Sequence, residues 1–240
     1  MTVIIILIAI FLVFMMYIVK NHINVNFSSF FKKGFKKLDN KFGLFCYTGK
    51  QGKGKTYSAV NFCIKQKLTN DYRIITNVKS FKVFPDTLYM DNIQDIIKYC
   101  TKFKDNDENV LIFFDEIFTV LEKGGPLAKD VLSFLSQMRK RKIIFITTAQ
   151  EWSEIQITFR RYVRFQISCN MISLPFTKTA VIINQVNDGD LIHWDNDLQD
   201  FVAPIIQTNI EKGRLSIIES YDTFETIAVT NSINAIKKRY

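Results

Sequence analysis

Gly49-Lys50-Gln51-Gly52-Lys53-Gly54-Lys55-Thr56 is the stretch from which the rest of the chain can be read. It fits G-x-x-x-x-G-K-[ST], a loop that needs a strand before it and a helix after it. An apolar run, Phe42-Gly43-Leu44-Phe45-Cys46-Tyr47, leads in, and Tyr57-Ser58-Ala59-Val60-Asn61-Phe62-Cys63-Ile64 reads as the helix that should follow. The three glycines let backbone N–H groups turn toward an anion, and the helix N-terminus adds positive partial charge. A bound triphosphate meets that requirement. Lys55 is expected to reach the β- and γ-phosphates and the Thr56 hydroxyl to ligate Mg²⁺.

Outward from the loop, Lys50 and Lys53 are further cations. Lys50 stands where a deviant class of such loops carries a second phosphate-contacting lysine, a solvated lysine being the alternative. The matching acidic element is Val110-Leu111-Ile112-Phe113-Phe114-Asp115-Glu116. Apolar on both faces, it predicts a central parallel strand delivering two carboxylates to the C-terminal sheet edge, where ligands of open α/β sheets collect. Asp115 is expected to hold Mg²⁺ through its water shell, and Glu116 to orient or deprotonate the attacking water. A third apolar run, Ile143-Ile144-Phe145-Ile146-Thr147-Thr148, ends at Ala149-Gln150, and Gln150 is a candidate γ-phosphate sensor beside Asp115. No N-K-x-D guanine-reading sequence occurs, so ATP is expected rather than GTP.

With 48% hydrophobic content over 240 residues, the chain can bury one domain with appendages. Its 32 Lys+Arg against 23 Asp+Glu, a formal +9, favour an anionic partner, nucleic acid or phospholipid. Cys46, Cys63, Cys100 and Cys169 lack C-x-x-C spacing and His22 and His193 are isolated, so neither zinc nor a His-based triad is expected. Residues 3–19 are apolar or Tyr throughout, with no charge before Lys20, which predicts one transmembrane helix. Neither a charged region before it nor a small-residue cleavage site after it favours a signal peptide. The lysines that follow place the remainder on the cytoplasmic side of the host membrane. Phe27, Phe30, Phe31, Phe35 and Leu38 share one helical face against Lys32, Lys33, Lys36 and Lys37, either an interfacial helix at anionic headgroups or a linker docked on the body.

The expected organisation is therefore an anchor at 1–20, a basic amphipathic linker at 21–40 and an α/β P-loop NTPase domain at 41–240. Helices should flank a mostly parallel central sheet. A helix is expected over 127–138 after the break at Gly124-Gly125-Pro126, closed by Arg139-Lys140-Arg141-Lys142 as dipole capping or a nucleic-acid contact. Arg160, Arg161 and Arg164 follow; one of them, with Arg160 foremost, is a candidate arginine finger acting on a neighbouring subunit, ion pairing being the alternative. From 177 onward the chain reads as β-rich, with strands at 179–183 and 215–218 and turns at 187–190 and 211–213.

The strand into Gly49-x4-Gly54-Lys55-Thr56, Ile74-Ile75-Thr76-Asn77-Val78, Phe113-Phe114-Asp115-Glu116, Ile146-Thr147-Thr148-Ala149-Gln150 and Phe159-Arg160-Arg161-Tyr162-Val163 together resemble the zonular-occludens-toxin-like ATPases. These assembly proteins of filamentous phages are similar to the wider FtsK/HerA group of DNA-pumping and genome-packaging motors. The resemblance runs from about 42 to 169, with a weaker echo at Tyr221-Asp222-Thr223. It implies ATP hydrolysis with Mg²⁺, a homo-oligomeric ring, DNA or nucleoprotein as cargo, and phage or virus coat or channel proteins as partners. One difference bears on the role: the filamentous-phage proteins carry their membrane segment after the ATPase domain, whereas here it precedes it. That keeps a packaging ATPase of a membrane-containing virus beside an extrusion ATPase. An ATP-switched scaffold and a small-molecule kinase are the readings from other classes.

Overall fold

The computed structural model describes residues 2–20, 38, 41–103, 108–119, 127–173, 180–191, 193–195 and 200–222. The expected linker, except Leu38, the Gly124-Gly125-Pro126 break and residues 223–240 lie outside that set.

Eight strands form one sheet. In chain order they are β1 (Gly43–Thr48), β2 (Arg73–Thr76), β3 (Leu88–Tyr89), β4 (Val110–Phe114), β5 (Ile143–Ala149), β6 (Val163–Ser173), β7 (Ala180–Asp188) and, after a hairpin of β8 (His193–Asp195) and β9 (Asp200–Val202), β10 (Ile205–Lys212). The order across the sheet is β10-β7-β6-β1-β5-β4-β2-β3. Strands β1 to β6 pair in parallel with one another, β7 joins β6 antiparallel, and β10 joins β7 antiparallel. The uniform burial of β1, β4 and β5 follows from their position: both faces are covered, so neither can alternate with polar residues.

Period-two geometry then assigns alternate residues to opposite faces. Ile75, Ile112, Phe114 and Phe145 pack with α3 (Ile93–Lys98) and α4 (Lys129–Gln137), whereas Phe45, Ile74, Leu111, Phe113 and Ile146 pack with α2 (Lys55–Asn70). Asn92 caps α3 by accepting from the Gln94 N–H at 2.9 Å, as expected of a residue that starts a helix. A short helix, α5 (Ile157–Arg160), sits before β6.

The C-terminal part departs from the sequence reading. Residues 215–218, expected as a strand, form the helical turn α6 (Leu215–Ile218), which buries Ile217 in the core shared with α2 and leaves Leu215 73% exposed. Four residues are too few for periodicity to separate strand from helix. The turn expected at 211–213 starts later, because β10 continues through Lys212 and only Gly213 breaks it, donating to the Ala180 carbonyl at 2.8 Å. The turn expected at 187–190 is likewise shortened by β7, which persists to Asp188 before a 3-10 turn at Gly189–Leu191.

These antiparallel strands also brace the P-loop helix. Ser58 of α2 and Asn184 of β7 are buried and exchange hydrogen bonds of 3.1 and 2.9 Å, while Asn61 donates to Glu211 at 2.5 Å. Ser58→Ala should lower unfolding stability by about 1–3 kcal/mol, because Asn184 keeps its desolvation cost and loses its partner. Chemical denaturation checks this, and Asn184→Leu added to Ser58→Ala should recover part of the loss.

N-terminal to the body, α1 (Thr2–Lys20) is a continuous helix of 19 residues. Ile4, Ile5, Ile6, Ile8, Ile10, Phe11, Leu12, Val13 and Met16 are all exposed on it. The side chains at 3, 7, 14 and 17–20 are outside the described set, and among the described residues no helix is long and apolar enough to cross a membrane.

Candidate functional site

Because β1, β2, β4 and β5 are parallel, the segments leaving them meet at one edge of the sheet. The loop after β1 carries residues 49–54, and α2 begins at Lys55. Gly49, Gly52 and Gly54 all take positive φ, 145°, 74° and 83°. At Gly49 space forbids a side chain as well, since a Cβ would stand 2.7 Å from the Cys169 carbonyl oxygen of β6. Gly54 occupies the cap of α2 with no side-chain hydrogen bond, leaving first-turn N–H groups available to an anion. The Lys55 ammonium folds back over the loop and donates to the Lys50 carbonyl at 3.3 Å. The side chains of Gln51 and Lys50 are exposed and Lys53 is half-buried.

Opposite stands Asp115. Its Oδ2 accepts from the Thr56 hydroxyl at 3.3 Å, joining the two residues that the sequence assigned to the metal. Its Oδ1 accepts from the Thr148 hydroxyl at 2.5 Å. Asn77, at the end of β2, brackets the Asp115 backbone from the other side, accepting from its N–H at 2.8 Å and donating to its carbonyl at 3.1 Å. Two neighbouring strands thus hold one aspartate in place. Glu116 follows in the left-handed region, φ 53°, with its N–H donating to Thr148 Oγ1 at 2.9 Å and its carboxylate half-buried. Its carbonyl accepts from the Thr119 N–H at 3.0 Å and the Thr119 hydroxyl at 2.9 Å.

Burial pushes the Asp115 carboxyl up to about 6; the Thr148 hydrogen bond opposes this, Glu116 adds to it, and Thr56 and Lys55 oppose it. In the free protein, the stability this group contributes is complete below its ordinary value of 3.8 and is lost as pH rises through about 6. A divalent cation takes the anion, so at pH 6 the binding of Mg²⁺ and ATP should release part of a proton. Affinity should fall as pH drops through 6 and stay level above 7. Titration calorimetry in buffers of different ionisation enthalpy measures both; proton uptake would refute the assignment.

Asp115 and Thr56 form an incomplete cage of hard oxygens, and among the described residues no three His, Cys, Asp or Glu side chains could hold an ion by themselves. That suits Mg²⁺, which retains waters and shares its sites with phosphate oxygens. The four cysteines are free and buried, and burial raises the thiols of Cys46, Cys63 and Cys169, which makes them packing groups.

The other candidates are placed as follows. Gln150 follows β5 beside the loop; its carbonyl accepts from the Gly49 N–H at 3.2 Å while its side chain is exposed. The polar residue of β5 that touches Asp115 is Thr148, two positions earlier. Its signal was present as a Thr-Thr pair ending an apolar run. Arg160 ends α5, and β6 begins three residues later at the opposite end of the sheet, where Val163 pairs with Leu44. Its guanidinium lies 5.9 Å from the Trp152 ring centroid, with Nε buried and without a hydrogen-bond partner. The site therefore gathers Lys55, Thr56, Asp115 and Glu116, with Asn77 and Thr148 as supports, and leaves Arg160 apart from it.

The family model described as ATPase family associated with various cellular activities (AAA) matches residues 45–171, just over half of the chain. Among solved structures, the fold is similar to the N-terminal domain of zonular occludens toxin from Neisseria meningitidis, at 12% identity and TM-score 0.49, covering 75% of this chain and 98% of that one. It is also similar to the genome packaging NTPase B204 from Sulfolobus turreted icosahedral virus 2 in complex with ATP-gammaS, at 12% identity and TM-score 0.47, covering 68% and 97%. The flagellar accessory protein FlaH from Methanocaldococcus jannaschii matches at 14% identity and TM-score 0.42, over 70% and 89%. No curated protein matches the chain in sequence.

Proposed function

We propose, since the chain belongs to the ATPase family associated with various cellular activities (AAA), that it spends ATP hydrolysis on moving DNA or a nucleoprotein particle at the host cytoplasmic membrane during phage or virus assembly. The observation that carries the ATPase part is the meeting of Thr56 with Asp115 at 3.3 Å, with Glu116 next in the chain. The loop N–H groups and Lys55 would bind and orient the triphosphate, and Thr56 and Asp115 would hold Mg²⁺. Bound Mg²⁺ would neutralise charge developing on the phosphate oxygens. Glu116, pinned through its backbone by Thr148, would accept a proton from the attacking water. Gln150 would sense the γ-phosphate only if its exposed side chain turned inward.

The movement part is supported by the formal charge of +9 and by a residue suited to act as a strong base, which a nucleotide-gated scaffold does not need. Arg160 stacks on Trp152, and its proposed role is to act on the nucleotide of a neighbouring copy in a ring. Membrane attachment is supported by the sequence alone, an uninterrupted apolar run over residues 3–19 with no charge before Lys20. The deciding test is the ATPase rate of the full chain with and without duplex or single-stranded DNA. Stimulation that disappears in Glu116→Gln supports the motor; a rate indifferent to DNA leaves a scaffold.

A further inference from the structure

The parallel sheet has a second edge, where its strands begin, and its chemistry is unlike that of the nucleotide edge. Lys41 precedes β1, Arg139 and Lys140 precede β5, and Arg161 and Arg164 flank the start of β6. Register places these starts side by side: Gly43 pairs with Ile144, and Leu44 with Val163. Arg139 and Arg164 meet over Gly43, where a Cβ would lie 3.9 Å from Arg139 Nε and 3.5 Å from Arg164 Cδ. One carboxylate serves both guanidinium groups, Asp190, at 2.7 Å from Arg139 and 3.6 Å from Arg164. Arg164 also donates to the Phe42 carbonyl at 2.9 Å. Burial and the Arg139 charge both lower the Arg164 pKa, as crowded like charges should. Lys41, Lys140 and Arg161 are exposed around this pair.

We propose that this strand-start edge docks on anionic phospholipid headgroups, which sets the body on the membrane with its nucleotide edge facing away. The proposal rests on the anchored reading above. Two things select a lipid surface over nucleic acid. This is the edge at which the chain arrives from its apolar N-terminal helix, and the intervening sequence carries Lys32, Lys33, Lys36 and Lys37 among phenylalanines, a composition that suits the same headgroups. Tethering by α1 would also keep the edge at high effective concentration near the bilayer, so a shallow patch of point charges without a shaped pocket suffices.

The test uses the full chain reconstituted in vesicles of phosphatidylcholine alone or mixed with phosphatidylglycerol. Lysine acetylation rates are read by mass spectrometry. Lys41 and Lys140 should react about fivefold more slowly on the anionic vesicles, with Lys50 and Lys53 unchanged. Molar salt should abolish the difference, and R139E should shrink it at Lys41 and Lys140 without altering the ATPase rate. Equal rates on both vesicles, or slowing of Lys50 and Lys53 instead, would overturn the proposal. Slowing produced only by added duplex DNA would assign the edge to nucleic acid and overturn it equally. A chain that alkaline carbonate strips from the vesicles refutes the anchored reading and this surface together, whereas an anchored chain with equal rates refutes the surface alone.

Discussion

Glu116→Gln should lower kcat for ATP hydrolysis by about 10²–10⁴-fold while ATP affinity stays unchanged. The amide keeps the shape of the side chain and removes only its capacity to take a proton. Everything that positions residue 116 is backbone: its N–H on Thr148 Oγ1 at 2.9 Å, its carbonyl under the Thr119 N–H and hydroxyl, and the φ of 53° that these bonds sustain. The amide therefore inherits the same pose, and folding should be unaffected. Asp115→Asn behaves differently, because it alters the Thr56 and Thr148 contacts and should weaken Mg²⁺-dependent binding itself. Steady-state kinetics with direct nucleotide binding separates the two. A loss below tenfold for Glu116→Gln would place the base elsewhere.

Gly49→Ala should destabilise the fold by about 2–4 kcal/mol and abolish nucleotide binding. The methyl group would approach the Cys169 carbonyl to 2.7 Å, and what it meets is strand backbone, which cannot rotate aside. Relief would require β6 and the loop to part, displacing the N–H groups that face the anion. Gly52→Ala is the comparison that isolates conformation from space. No atom lies within 4 Å of its would-be Cβ, so only the φ of 74° penalises it, by about 1–2 kcal/mol. Thermal or urea unfolding of the two variants should rank them in that order, and equal losses would show that backbone conformation alone governs the loop.

Local runs carried much of this protein openly. Eight contiguous residues, from Gly49 to Thr56, specify a phosphate-binding turn because the groups that face the anion belong to the turn itself. The unbroken apolar composition of β4 announced a central parallel strand, and with it the edge at which Asp115 and Glu116 emerge. Short polar-apolar segments near the C-terminus were ambiguous for the opposite reason. Whether residues 215–218 pair as a strand or coil as α6 depends on a packing surface, here that of α2, which no four-residue pattern encodes.

Composition and spacing thus determined a P-loop ATPase domain, its loop and its acidic pair, since each of those rests on neighbours in the chain. Only the folded sheet decided what steadies them: Thr148, 33 residues from Asp115, Asn77, 38 residues from it, and Cys169, whose carbonyl forbids a side chain at Gly49. It also decided that Arg139 and Arg164 share one carboxylate at the edge remote from the loop. Such contacts arise from strand order and register, which bring distant segments within hydrogen-bonding range, so a residue's own neighbours do not name its partner.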